Sequence, residues 1–310
     1  MKVRSLIIAT MQTVGLYAAG LIIPVIGQFL ALFAPVPAIL SYMRNGRAAG
    51  LTVLAASTAV LLALGWQTAF IFVLSFGLMA VGIAEGTRRA FRMENIALLG
   101  GLLPVAAGTL LLALYFFRSG HNPFTAADDY FRKSLADAVK LYTDMGLTEM
   151  ASMVSSLPDR FVYYLVRLIP GIAIATSVIQ AGACFGLARA LLSRGVESIP
   201  VFPSHRFSTW HAPDVWVWGL ITALALIIVP EGPAKLTGWN LAILFGTVYL
   251  IQGAAIIEFY MLKVHLRTYL RSLLIAIILA LPTVVFVIAL GVVDIWADIR
   301  KVRISPTIVP

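Results

Sequence analysis

The chain has 310 residues, of which 60% are hydrophobic and 12% charged, and its mean hydropathy is +0.94. Soluble domains average about 45–50% apolar and about 25% charged residues, so this composition excludes a soluble globular protein. The single cysteine, Cys184, excludes an internal disulfide and a cysteine-rich metal or iron–sulfur site.

Uncharged runs dominate the chain, and residues 5–43 carry no charge at all. Runs longer than about 18 residues indicate membrane-spanning helices, whereas a β-barrel would show short alternating segments. We predict an all-α, polytopic helical membrane protein with about eight or nine membrane segments, forming a single integral membrane domain over residues 1–310. The predicted segments cover 6–31, 35–43, 47–65, 67–84, 95–117, 161–188, 215–229, 238–262 and 268–293.

The segment 35–43 is too short to cross a hydrocarbon core of about 30 Å by itself. It lies between two prolines, Pro35 and Pro37, and Arg44. We expect a broken or tilted helix that shares its crossing with irregular backbone covered by protein or water. The first segment follows Lys2 and Arg4 but is too long for a signal peptide, so we interpret it as an uncleaved span.

The basic residues are distributed unevenly if every segment is a crossing. Thirteen lysines and arginines then fall on the side of the N-terminus and nine on the other side. The positive-inside rule therefore predicts a multi-pass protein of the bacterial cytoplasmic membrane with a cytoplasmic N-terminus. The net charge of +9 needs no nucleic-acid partner, because the lipid bilayer accounts for it. If 35–43 does not cross, every later loop inverts and the bias reverses.

Residues 118–160 predict an extramembrane amphipathic helical insert. Apolar residues recur at helical spacing from Ala126 to Met145, and Gly146 is suited to a helix C-cap. A second short helix is predicted from Thr148 to Leu157. The resulting hairpin (119–158) either lies on the membrane surface or forms a lid over an outward-facing cavity.

The sequence lacks the common catalytic and nucleotide-binding motifs. It contains no GxxxxGK[ST] phosphate loop, no HExxH and no Gly-x-Ser-x-Gly elbow. We therefore predict a protein that is not an enzyme and has no cofactor or metal, with an intramembrane enzyme as the remaining alternative, because such enzymes carry cryptic motifs. A transport role would then require a partner ATPase or an ion gradient.

Polar side chains inside the predicted spans are candidate functional residues, because lipid offers them no hydrogen-bond partner. Arg167 precedes a kink expected at Pro170, and it either snorkels to the outer headgroups or faces an anionic ligand or an acid. Gln252 lies near the middle of its span, where its amide must bond to a neighbouring helix or a ligand. The candidate ligand-binding residues are Arg167, Gln252, Gln180 and Asn240.

Glu258 lies near the end of the same span, with His265 one heptad further along. We interpret both as interfacial residues, with Arg267 or Arg271 as possible partners of Glu258, or as an ion- or proton-coupling pair. Small residues recur at four-residue spacing, which allows helices to pack closely or to dock a partner subunit. These candidate helix-packing residues are Gly46, Gly50, Gly82, Gly86, Gly182, Gly186, Ala190 and, beside Gln252, Gly253.

Four stretches occur in a recognisable order along most of the chain. They are APVPAILSYMRNGRAAGL, the Arg-x-x-Pro helix at Arg167, RFSTWHAPDVWVWGL and YLIQGAAIIEFYMLK. Together they resemble the YybS-like family of uncharacterised bacterial multi-spanning membrane proteins. The chain is also distantly similar to the substrate-binding subunits of energy-coupling-factor vitamin transporters and to MreD-like cell-shape proteins, through the early proline followed by Gly46 and Gly50. The resemblance implies a multi-spanning membrane protein and identifies no ligand-binding residue.

Two functions are consistent with these observations. The first is a transport-related membrane subunit that binds a small molecule in an outward-facing cavity, gated by the hairpin, with Arg167 and Gln252 as polar contacts. It would act with a partner membrane subunit or ATPase module. The alternative is a structural or assembly protein of the bacterial cell envelope that acts through helix–helix contacts.

Overall fold

The structure, a computed structural model, describes residues 3–120, 122–192, 207–266, 270, 274 and 284–301. All regular elements in these ranges are helical, which confirms the predicted all-α fold. The chain divides into two compact units, which are described separately. Unit 1 comprises Met1–His121 and Thr176–Pro203, and unit 2 comprises Asn122–Ala175 and Ser204–Pro310.

The helices of the described ranges are α1 (Val3–Ile22), α2 (Ile26–Ala31), α3 (Val36–Asn45), α4 (Arg47–Leu62), α5 (Trp66–Ile71), α6 (Leu78–Arg88), α7 (Met93–Ser119), α8 (Pro123–Asp144), α9 (Thr148–Ser155), α10 (Asp159–Leu192), α11 (Trp216–Ile228), α12 (Pro233–Lys263) and α13 (Val284–Ala297). A π-helical turn, Phe72–Gly77, joins α5 to α6, and Phe207–Thr209 form a short 3₁₀ helix.

Six stretches of the described chain are long and apolar enough to cross a bilayer. They are Val3–Ile22, Ile26–Asn45, Trp66–Arg88, Met93–Ser119, Arg160–Leu192 and Pro233–Lys263. The helices α4, α11 and α13 are apolar but shorter. Large apolar side chains are exposed along these helices, as a lipid-facing surface requires. The protein is a polytopic helical membrane protein.

The first predicted span, 6–31, is wrong at its C-terminal end. Helix α1 stops at Ile22, because Pro24 cannot donate to the helical ladder and Val25 adopts a φ of 61°. The chain then reverses closely: a Cβ on Gly27 would lie 2.0 Å from the carbonyl oxygen of Ala19. The residues after Pro24 join the predicted short segment 35–43, and the 20-residue stretch Ile26–Asn45 is long enough to cross.

The core of unit 1 lies where α3, α4, α6 and α7 meet, around Ile39, Val53 and Ile83. Gly82 allows the close approach of α6 and α7, since a Cβ there would lie 3.0 Å from the Cα of Gly100. Tyr17 of α1 packs edge-on against Phe72 in the π-helical turn, with ring centroids 5.3 Å apart.

The other predicted packing residues of unit 1 have different surroundings. Gly86 faces Ile96 of α7, Gly50 faces the ring of Tyr42, and Gly182 faces Ala97 at 3.9 Å. A side chain on Gly186 would meet nothing within 4 Å, and Ala190 is exposed. Gly46 has a φ of 90° and forms the turn between α3 and α4.

Unit 2 contains the α8–α9 hairpin, the first part of α10 and a layer of α11, α12 and α13. Gly146, the predicted C-cap, ends α8 with a φ of 75°. Glycines at two helix crossings bring backbones together: a Cβ on Gly253 would lie 2.1 Å from the carbonyl oxygen of Val287, and one on Gly238 would lie 2.8 Å from the Cβ of Leu226.

Contacts within each unit test which loops share a side of the membrane. Arg44 donates to the carbonyl of Leu191, and Arg189 contacts Met93, so three loops assigned to the N-terminal side lie together. In unit 2, Arg160 pairs with Glu231 at 3.4 Å. Both residues belong to loops predicted on the side of the membrane opposite the N-terminus. The pairings within each unit agree with the predicted alternation.

The C-terminal segment departs from that alternation. Arg300, expected on the side opposite the N-terminus, donates to the carbonyls of Ser208 and Trp210, which belong to a loop assigned to the N-terminal side. The described helix α13 has 14 residues and spans about 21 Å, too little to cross alone. Moving Arg300 and Lys301 raises the basic residues on the N-terminal side from thirteen to fifteen. Most of the first half of the predicted span 268–293 lies outside the described residues.

Candidate functional site

Arg167 of α10 forms an ion pair with Asp128 of the hairpin helix α8. The Nη1 atom of Arg167 donates to both carboxylate oxygens, at 3.1 and 3.0 Å, and to the carbonyl oxygen of Tyr163 at 3.1 Å. The two side chains are 20% and 19% exposed, so the pair is neither buried nor fully solvated. From the sequence, the expected partner of this arginine is an anionic ligand or an acid, and the acid comes from the hairpin that the sequence predicts to be an extramembrane insert.

Two aromatic rings flank the guanidinium. Its central carbon lies 3.7 Å from the ring centroid of Tyr163 and 5.9 Å from that of Phe124. Such contacts with an aromatic face stabilise a cation by about 0.5–1 kcal/mol at exposed sites. The three side chains therefore hold the guanidinium in one place and leave part of it accessible.

The start of α8 places Phe124 and Asp128 toward Arg167. Asn122 caps the helix by accepting a hydrogen bond from the backbone N–H of Phe124 at 2.9 Å, and Pro123 occupies the first turn. Phe124 and Asp128 are four residues apart and so lie on the same helix face. The Asn-Pro pair that begins the hairpin thus sets the position of its acid.

Asn240 of α12 holds the backbone turn that carries Arg167. Its Oδ1 accepts from the N–H of Gly171 at 2.8 Å, and its Nδ2 donates to the carbonyl of Arg167 at 3.0 Å. An uninterrupted helix would pair these two backbone groups with each other, so the amide bridges the ladder beside Pro170. Gly171 is required for this approach, because a Cβ would lie 2.8 Å from Oδ1.

The other candidate ligand residues lie in different surroundings. Gln180, in unit 1, donates to the carbonyl oxygen of Leu32 at 3.0 Å. Gln252, in unit 2, is fully buried; its Oε1 accepts from the N–H of Ala212 at 3.0 Å and its Nε2 donates to Asp294 at 3.2 Å. The Gln252 amide is bonded at both ends and the Gln180 amide through its Nε2, whereas Arg167 keeps an exposed edge.

Gln252 belongs to a buried network that the sequence did not indicate. Arg300 and Asp294 form an ion pair at 2.8 Å with side chains 2% and 4% exposed. The remaining acceptor bonds of the carboxylate come from Gln252 and from the N–H of Ile299 at 2.9 Å. We refer to Gln252, Asp294, Arg300 and the backbone groups of Ser208, Trp210 and Ala212 as the Arg300 network. It ties the 207–212 segment to α12 and to the end of α13.

Glu258 and His265 lie near the end of α12. Glu258 is half-buried, and the arginines proposed as its partners, Arg267 and Arg271, lie outside the described residues. His265 is exposed in the turn after α12 with a φ of 58°. Nothing in the described geometry assigns either residue an ion-coupling role.

A second cluster that the sequence did not predict surrounds Glu85 in unit 1. The hydroxyl of Tyr42 donates to Glu85, whose carboxylate also contacts Arg47 at 3.2 Å and Arg89 at 3.8 Å. The guanidinium of Arg88 lies 5.8 Å from the centroid of the Tyr42 ring. Tyr42 lies 43 positions before Glu85, and only the packing of α3 against α6 brings the two together.

Two open grooves of the described surface are almost entirely apolar. One, of about 400 Å³, is lined by Ile256, Tyr260, Val264 and neighbours in unit 2. The other, of about 430 Å³, lies between α4 and the π-helical turn in unit 1. None of the polar candidate residues lines either groove. The Arg167 site is a partly exposed ion pair between α10 and the hairpin helix α8, outside both grooves.

Comparison with known proteins places the chain in a family. Residues 12–295 match the family model described as "Predicted membrane protein (DUF2232)", and the chain belongs to this family of membrane proteins. It is 26% identical to "Uncharacterized protein YybS" of Bacillus subtilis (strain 168) over 288 residues, which cover 90% of this chain and 91% of that protein. No solved structure matches.

These findings confirm the resemblance to the YybS-like family. The similarity to energy-coupling-factor subunits and to MreD-like proteins stays a prediction. The family description establishes a membrane protein that sits in a lipid bilayer, and it assigns no ligand or partner. Function has to be argued from the Arg167 site.

Proposed function

We propose that the protein is a transport-related membrane subunit that binds a small molecule at Arg167, beneath the α8–α9 hairpin. The observation that carries the proposal is the partly exposed ion pair between Arg167 and Asp128. One partner belongs to a candidate membrane span and the other to an amphipathic hairpin. A ligand that displaces Asp128 would change the position of the hairpin.

The guanidinium is only partly occupied in the described structure. All its hydrogen bonds, to Asp128 and to Tyr163, use Nη1. The described residues supply no acceptor to Nη2 or Nε, and planar guanidinium groups bind carboxylate or phosphate through two parallel bonds. Arg167 can thus accept an acidic ligand on its open edge, with the Tyr163 ring beneath it.

The roles of the predicted ligand residues differ within this proposal. Arg167 is the ligand contact, and Asn240 is a positioning residue that acts through the backbone of Arg167 and Gly171. Gln252 and Gln180 stabilise helix packing instead of contacting ligand. The hairpin acts as the lid that the sequence offered as one interpretation.

The proposal requires an external energy source and no chemistry on the ligand. The sequence carries no phosphate loop, so a partner ATPase module or an ion gradient would drive transport. The protein would act without cofactor, and not as an enzyme. We place it in the bacterial cytoplasmic membrane with its N-terminus in the cytoplasm, which the positive-inside count supports.

The alternative, an assembly protein of the cell envelope, depends on free small-residue faces. Gly82 and Gly86 are occupied by α7, and Gly253 by α13. These positions serve internal packing, whereas a side chain on Gly186 would meet nothing within 4 Å, so the assembly alternative keeps an open small-residue position there. The Arg167 pair, by contrast, is accessible, so small-molecule binding is better supported.

Native mass spectrometry of the gently purified protein tests the proposal. We expect the wild type to retain a small acidic molecule and Arg167→Gln to lose it. Arg160→Gln is the matched control, because Arg160 lies on the same helix and also pairs with an acid, but at a site where the two side chains are 79% and 60% exposed. A wild-type protein without a small-molecule adduct, together with unchanged uptake in a deletion strain, would rule out the proposal.

A further inference from the structure

One end of unit 1 carries five arginines among its described residues. Arg47 begins α4, Arg88 ends α6 and Arg89 follows it. Arg44 near the end of α3 and Arg92 before α7 lie in the same turns. All five are exposed. We call these five residues the arginine end.

Glu85 organises the centre of this surface. Its carboxylate contacts the Nε atoms of Arg47 and Arg89, at 3.2 and 3.8 Å, and accepts the hydroxyl of Tyr42. Both arginines therefore use Nε internally, and the described residues offer no acceptor to their terminal Nη groups. Their side chains are 66% and 67% exposed, so these donors point away from the protein interior.

The position of these arginines at the ends of candidate membrane spans indicates which anion their free N–H groups can bind. Arg44 and Arg88 lie in the last turns of two candidate membrane spans, Ile26–Asn45 and Trp66–Arg88, and Arg92 directly precedes a third, Met93–Ser119. The ends of spans lie at the depth of lipid headgroups. Arginine matches phosphate geometry and binds it bidentately. Headgroup phosphate is the acceptor at that depth whose charge and geometry match an arginine.

We propose that the arginine end binds the headgroup of an anionic phospholipid at a site built by Arg47, Arg89 and Glu85. The net charge of this trio is +1, and Arg88 beside Tyr42 raises it further. An anionic lipid such as phosphatidylglycerol gains from this charge. Phosphatidylcholine carries a compensating cation and gains less. The site is independent of the Arg167 site.

The test is native mass spectrometry of the purified protein after exchange into detergent with equal amounts of phosphatidylglycerol and phosphatidylcholine. We expect phosphatidylglycerol adducts to persist and Arg47→Gln or Arg89→Gln to lower their retention about fivefold each. Arg118→Gln is the matched control, since Arg118 lies in the last turn of α7, at the opposite end from Arg92. Size-exclusion profiles show that each variant remains folded.

Glu85→Gln separates a built site from general attraction to positive charge. The substitution makes the surface more positive, so unspecific attraction predicts more phosphatidylglycerol. A site that depends on Glu85 to hold Arg47 and Arg89 predicts less. Unchanged or increased retention in Glu85→Gln, or equal losses in Arg118→Gln, would overturn the proposal. Displacement of the lipid by an equal concentration of glycerol phosphate would overturn the assignment to a membrane lipid.

Discussion

Two arginine–aspartate pairs of unit 2 have the same chemistry and opposite surroundings. Arg300 and Asp294 are almost fully buried and bond to backbone carbonyls and the Gln252 amide, and only the Nε of Arg300 finds no hydrogen-bond partner among the described residues of this network. Arg167 and Asp128 are about one-fifth exposed, and only one guanidinium nitrogen is engaged. A buried pair with many internal hydrogen bonds stabilises one packing arrangement, whereas under the proposed function the partly exposed pair exchanges its acid for a ligand.

The largest expected effect is on the buried pair. Arg300→Met leaves the Asp294 carboxylate buried without its cation, which costs about 3–5 kcal/mol of unfolding free energy. Thermal unfolding in detergent measures the loss. Arg160→Gln is the control: its exposed pair with Glu231 is expected to contribute at most about 1 kcal/mol. Equal destabilisation by the two substitutions would remove the distinction between buried and exposed pairs.

A smaller loss of unfolding free energy is expected when the Gln252 amide of the Arg300 network is removed. Gln252→Leu leaves the N–H of Ala212 and an oxygen of Asp294 without that partner, and costs about 1–3 kcal/mol. Gln67→Leu is a matched change at an exposed position of α5 and is expected to be near neutral. If Gln252→Leu lost the ligand at unchanged stability, Gln252 would be a ligand contact and not a packing residue.

Asn240 connects helix packing to the Arg167 site. Asn240→Leu removes its bonds to Gly171 and Arg167 and is expected to cost about 1–2 kcal/mol, with weaker retention of the ligand. Thr237→Val, one turn earlier on α12, removes a hydroxyl that bonds only to Pro233 of its own helix. Thermal unfolding and native mass spectrometry of both variants separate positioning from packing. A stability loss with full ligand retention would contradict the positioning role.

The smallest stability effect is expected at the hairpin. Asp128→Asn weakens a partly exposed pair and should change the free energy of unfolding by less than about 1 kcal/mol. Trypsin should nevertheless cleave faster at Lys133 and Lys140, because the hairpin loses its ionic contact with α10. Limited proteolysis measures the rate, with Asp137→Asn on the same helix as the control. Identical cleavage of both variants would show that the Arg167 contact does not hold the hairpin.

Much of the fold follows from local patterns. The long apolar runs predict the spans, and the apolar spacing with Gly146 predicts the hairpin helices near their observed bounds. The predicted first span runs past Pro24 because no charge interrupts residues 5–43, so hydropathy alone does not reveal the turn there. The proline and the φ of Val25 end the helix, and the glycines beside the turn permit the reversal.

The candidate site was only partly predictable. An arginine in an apolar run stands out in the sequence, because a charge in lipid needs a partner. Arg167 could therefore be predicted from the sequence as a candidate site residue. Its partner Asp128 lies 39 positions earlier in an ordinary polar helix, with no local sign of its role. Asp294 and Arg300 flank the end of α13 and resemble typical loop charges, so the Arg300 network could not be predicted.

The sequence by itself determined the class of protein, because the free energy of burying long apolar runs leaves a helical membrane protein as the stable outcome. It also determined which residues need polar partners. Tertiary structure decided which partners they have: Asn240 joins Arg167, Gln252 joins Asp294, and Glu85 joins Tyr42. Hydrogen bonds and ion pairs act over about 3 Å, so their pairing depends on how helices cross, and apolar periodicity does not encode that.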